Sequence, residues 1–128
     1  MPAVAPPFTA AQTVFGHGVY LAVAALALFL LPRMIRAVLS LPAEFDWWNR
    51  VLAIPVFNLG MFCIGAARVH SLPLIRLTVA MRLWVMAALA ALAALQLVPP
   101  LALAVGVIDL LSAALTAWAL AAEARPPA

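Results

Sequence analysis

The stretch Leu74–Ala122 reads LIRLTVAMRLWVMAALAALAALQLVPPLALAVGVIDLLSAALTAWALAA. Two apolar runs stand on either side of Pro99-Pro100. Each is long enough to cross a hydrocarbon core of ~30 Å, for which about 20 helical residues suffice. Both runs are continuous and rich in Ala and Leu, whereas a membrane β-strand alternates apolar and polar residues. Paired prolines interrupt a helix, because they lack the backbone N–H it needs. The stretch therefore predicts an antiparallel helical hairpin, with spans at about 74–98 and 101–122.

Two further runs precede it, at about 11–31 and 47–67. Pro32 follows the first, with Arg33 and Arg36 just beyond. Met34, Ile35, Val38 and Leu39 share a helical face opposite those arginines. Residues 33–40 thus read as a short interfacial segment, or as an extension of the first helix past a proline kink. Trp47-Trp48 stands where an aromatic belt meets the headgroups. Arg68–Pro73 supplies the second connection. The expected fold is an all-α membrane protein, a single four-helix transmembrane bundle with both termini on the same side. Residues Met1–Pro7 carry no positive charge, so the first run reads as a retained helix and not a cleaved signal. Glu123–Ala128 reads as a frayed tail.

Composition agrees. Of the 128 residues 69% are hydrophobic and 9% charged, and the mean hydropathy is +1.19. An ordinary soluble domain is about a quarter charged, so a water-soluble globule is excluded. The basic side chains are all arginine, and the net charge of +3 is spread along the chain. No basic run supports nucleic-acid binding. Lipid headgroups are the natural partners of arginines beside apolar spans. Arg68, Arg76 and Arg125 on one side stand against Arg33 and Arg36 on the other, joined by Arg50 if it snorkels outward, so charge does not set the orientation. Cys63 is the single cysteine. It forms no internal disulfide and reads as a small apolar helix residue.

The polar residues inside the spans carry the functional question. A carboxylate such as Asp109 is costly in the bilayer unless it is paired or protonated. Gly106, Ser112, Ala113 and Thr116 fall near its face, a small and polar stripe suited to helix contact. Ala113, Ala117 and Ala121, with Ala87/Ala91 and Ala90/Ala94, keep a four-residue spacing that also permits close packing. Counting ~1.5 Å per residue from the connections puts Arg50 level with Asp109, and Arg82 level with Asn58. Two polar layers follow, Arg50 with Asp109 and Arg82 with Asn58, with His17 or Tyr20 as additions from the first helix. An arginine fork accepted by a carboxylate serves as a static clamp or as a ligand or proton site. Arg50 also has the option of snorkelling beside Trp47 and Trp48. Pro55, Asn58, Gly60 and Gly65 give the second span a kink and a thin side, fit for close packing or a small cavity.

The sequence shows no Ser-His-Asp set, no glycine-rich phosphate loop and no metal-ligand pattern. It names no catalytic residue, no metal and no cofactor. The order Trp48-Asn49-Arg50, Pro55 and Gly60, followed by Arg82 and Asp109, resembles the DoxX-like group of small four-helix bacterial membrane proteins over residues 47–120. That resemblance implies a bacterial cytoplasmic membrane and an accessory role, in some members linked to quinones. The leading expectation is a non-catalytic accessory or assembly subunit with a protein partner, or a homo-oligomer. The alternative is a binder or carrier of a small hydrophobic molecule, a quinone or isoprenoid lipid. A third is a proton-coupled transporter using Asp109.

Overall fold

The structure is a computed structural model that describes residues 6–124. The first residues, most of the expected frayed tail, and Arg125 with them, lie outside the described residues. The described chain is helical throughout: α1 (Ala10–Leu30), α2 (Pro32–Leu39), α3 (Phe45–Arg68), α4 (Leu72–Ala94) and α5 (Leu103–Glu123), with a 3-10 turn at Pro100–Ala102. The helices α1, α3, α4 and α5 are each long and apolar enough to cross a membrane. The protein is an integral membrane helical bundle.

Local chemistry sets the helix starts. Thr9 and Gln12 form a reciprocal capping box at the start of α1, which satisfies two otherwise orphan groups. The Ala10 N–H donates to Glu123 Oε1 at 2.7 Å. This places a carboxylate against the positive end of the α1 dipole. It also shows that the start of α1 and the end of α5 share one end of the bundle. Leu31 (φ −123°, ψ 42°) breaks α1, and Pro32 occupies the first turn of α2, where its missing N–H costs nothing. Residues 32–39 are thus a separate short helix, tied to α3 by Arg36 Nε donating to Asp46 Oδ1 at 2.8 Å.

Three helix ends use one device. Ser40, His70 and Gln96 have positive φ (52°, 49° and 58°). In each case the next residue's N–H reaches back to a carbonyl five residues earlier, as in Leu97 to Leu92 at 2.9 Å. This is the Schellman cap, normally closed by glycine. It ends α4 at Ala94, four residues short of the expected Val98, so the third connection is longer than the Pro99-Pro100 pair alone. A side chain in this conformation costs ~1–2 kcal/mol, partly offset by the freedom a glycine would lose on folding. Gln96→Gly should therefore raise stability by about 0.5–1 kcal/mol, read as a higher unfolding midpoint in detergent titration.

Packing divides the bundle into two pairs. α1 lies along α3, and α4 along α5; α1 also touches α5, while α3 hardly touches α4. Gly18 and Gly60 make the α1/α3 crossing. A Cβ on either would stand 2.8 Å from the other's carbonyl oxygen. At Gly106 of α5 a Cβ would meet the Met86 side-chain sulfur at 2.8 Å and its Cα at 3.4 Å, so α4 also comes near there, though against a more yielding neighbour. The four long helices meet near the Ala10/Glu123 end, where Ala10, Val14, Cys63, Ala67, Ile75 and Ala119 form a buried cluster.

Some small residues do not pack. Gly65 has open space beside it. Ala117, Ala121, Ala87, Ala90, Ala91 and Ala94 are exposed. Their spacing is compatible with helix contact, but neighbours cover the opposite faces of α4 and α5.

Candidate functional site

The buried face of α5 consists of Gly106, Asp109, Ala113, Thr116 and Ala119. Its polar members meet polar residues of α1 and α4. Thr13 Oγ1 lies 2.9 Å from Thr116 Oγ1. Arg82 donates from Nη1 to Thr116 Oγ1 at 3.1 Å and from Nη2 to Thr78 Oγ1 at 3.4 Å. Thr78 and Thr116 in turn donate to carbonyls of their own helices at 2.7 and 3.0 Å. Such back-bonding leaves the hydroxyl oxygens free to accept. The threonines thus receive the guanidinium without adding charge.

Asp109 has a different neighbour. His17 Nε2 stands 3.6 Å from Asp109 Oδ1, within ion-pair range yet longer than a hydrogen bond. The other ring nitrogen, Nδ1, is 3.2 Å from Ser112 Oγ. Ser112 Oγ is also 2.9 Å from the Asp109 carbonyl. A Ser–His–Asp grouping therefore exists, which the sequence reading did not contain. Its members stand 92 and 95 positions apart or three apart on one helix, so linear spacing gave no signal. It is no nucleophile arrangement. Ser112 lies inside a helix, where backbone N–H groups are used up and none remains to stabilise an oxyanion. It is a chain of proton donors and acceptors.

Arg82 and Asp109 are 3% and 7% exposed, and both wall a cavity of about 120 Å³. His17 and Thr78 join them there. The remainder is apolar or nearly so: Leu21, Leu59, Cys63, Met81, Trp84 and Val85. Arg82 Nε and Asp109 Oδ1 have no hydrogen-bond partner among the described residues. The guanidinium and the carboxylate share one wall without making an ion pair. A buried polar atom left unpaired costs about 1–3 kcal/mol, more when charged. Trp84 of α4, 71% exposed, also borders the cavity, whose walls include residues of both α3 and α4, helices that scarcely meet.

The expected two layers are thereby redrawn. The structure brings Asp109, Arg82 and His17 together. Tyr20 lies beside them, its ring 5.8 Å from that of His17. It does not bring in Arg50, which is exposed on α3. Nor does Arg82 meet Asn58, which is exposed and lines an apolar groove with Ala25, Phe29 and Ile54. Counting along straight helices gives depth but not azimuth, and Arg50 and Asn58 lie on outer sides of α3. The buried residues of α3 are Asn49, Ala53, Gly60, Cys63, Ala66 and Ala67. Buried Asn49 Nδ2 points to the Pro32 carbonyl at 3.5 Å, bracing the α2 corner.

No family model, curated protein or solved structure matches this chain.

Proposed function

We propose that this integral membrane protein binds a small hydrophobic molecule with a polar head, of quinone or isoprenoid type. The observation that carries the reading is the pair of unpartnered buried atoms, Arg82 Nε and Asp109 Oδ1, on the wall of an otherwise mostly apolar cavity. One is a donor and the other belongs to a carboxylate. A hydroxyl head, as in a quinol or an isoprenoid alcohol, accepts from the first and donates to the second and so relieves both. Volume narrows the choice: a cavity of ~150 Å³ takes up one benzene, so about 120 Å³ takes a small polar head, and a ring only where the walls yield. The tail stays outside, and the loose α3/α4 side gives it a route from the lipid. A place among DoxX-like proteins of the bacterial cytoplasmic membrane belongs to the same proposal.

Lipid extraction and mass spectrometry of protein solubilised gently from membranes test this. A molecule enriched over bulk lipid in the native chain, and lost at least tenfold in Arg82→Gln, is the expected result. No enrichment, or equal enrichment in the variant, overturns it.

An accessory place in a larger complex is the second reading. It draws on α4, where only Ile75, Thr78 and Arg82 are buried along 23 residues. Co-purification under mild detergent should then yield a constant partner; a chain that always emerges alone and monomeric overturns it.

A further inference from the structure

A second depression lies on the other side of His17. It runs between α1 and α5 and is walled by Gln12, Thr13, His17, Tyr20 and Ser112, among others. It shares Phe8 and Gln12 with a shallower one at the end of the bundle, which Thr9 and Glu123 border. It shares His17 with the Arg82/Asp109 cavity. A path that carries Gln12, Thr13 and Ser112 among apolar side chains such as Phe8, Ile108 and Leu115 thus leads from the Ala10/Glu123 end to His17, about 10 Å along α1. Polar side chains facing plain hydrocarbon are costly, and such groups mark water-reachable grooves and proton relays. His17 alone borders both the groove and the cavity.

We propose that His17 passes a proton between this groove and Asp109, so that Asp109 is charged and discharged from the end where α1 begins. The groups facing the imidazole are Tyr20 of α1, Cys63 of α3, Arg82 of α4, and Asp109 and Ser112 of α5. The Ser112 hydroxyl has one proton and two takers, the Asp109 carbonyl at 2.9 Å and His17 Nδ1 at 3.2 Å. A proton from groove water enters at Nδ1, directly or by exchange through that hydroxyl. The ring becomes an imidazolium. Nε2 closes from 3.6 Å to the usual ~2.9 Å and gives its proton to Asp109 Oδ1. The products are a neutral carboxylic acid and a neutral imidazole carrying its proton on Nδ1. The reverse run unloads the acid. Loading removes the negative charge from the cavity and leaves Arg82 as its cation, which favours a head bearing acceptor oxygens. That coupling rests on the ligand reading above; the relay does not.

The test uses the full chain in lipid vesicles, a proton pulse from a photolysed caged acid, and time-resolved infrared detection of the carboxylic-acid band. The native chain is expected to show a band that is absent in Asp109→Asn. Its rise should slow at least tenfold in both His17→Phe and His17→Gln. The second variant keeps a hydrogen-bonding group, so equal slowing in the two separates a lost relay from a packing defect. Arg50→Gln, on the exposed side of α3, should leave the rate unchanged. An Asp109 band that rises as fast without His17, or that never responds to the pulse, overturns the relay. Because no ligand is present, that failure leaves the lipid-extraction result to be judged separately.

Discussion

Gly60→Leu is expected to break the α1/α3 pair and to produce the largest loss of stability of any single change considered. A Cβ at Gly60 would stand 2.8 Å from the Gly18 carbonyl oxygen and 2.9 Å from the Ala22 backbone nitrogen. Both obstacles are main chain, so no side chain can swing aside. Overpacking a rigid contact costs about 1–3 kcal/mol, occasionally more; here two backbones must separate along the tightest crossing, and about 3 kcal/mol or more is expected. Gly65→Leu is the control. Nothing lies within 4 Å of a Cβ there, and its effect should stay within about 0.5 kcal/mol. Denaturant titration of the two variants in mixed micelles checks the difference. Equal midpoints would refute the crossing.

The second large effect is energetic coupling between Arg82 and Asp109. Each is a buried ionisable group on the wall of the same small cavity. Asp109→Leu should cost about 3 kcal/mol, the lower edge of the range for orphaning a buried partner, since the two groups do not touch. Arg82→Leu should cost a similar amount. The double variant should lose less than the sum by more than about 1 kcal/mol, because the charge each single change strands is then gone. Arg50→Gln, on an exposed site, should combine with Asp109→Leu additively within about 0.5 kcal/mol. Strict additivity of Arg82 and Asp109 would mean that the shared wall carries no interaction. Coupling of Arg50 with Asp109 instead would restore the depth-based pairing.

The candidate site was half legible in the sequence. Asp109, Arg82, His17 and Tyr20 drew notice because an ionisable or hydrogen-bonding group in a greasy span needs an explanation. The stripe Gly106, Ser112, Ala113 and Thr116 about Asp109 followed from helical period, and it is buried except for the half-buried Ser112. What failed was partnership. Arg50 and Asn58 have suitable chemistry and depth yet lie on exposed sides of α3. Thr13 and Thr78, which with Thr116 of that stripe receive or brace the arginine, carry no mark in the sequence. Threonine is common in apolar helices, where it bonds to its own backbone.

The sequence by itself determined that this chain lives in lipid and crosses it as helices. Both follow from local quantities: run length against bilayer thickness, and the need of every backbone group for a partner where there is no water. Only the tertiary structure decided which polar side chains meet. That depends on how each helix is rotated about its axis, and the rotation is set by contacts such as Gly18 on Gly60 and Gly106 on Met86. Hydrophobicity cannot set it, because lipid and a neighbouring helix are equally greasy to a leucine. His17 reached Asp109 and Ser112 through that rotation.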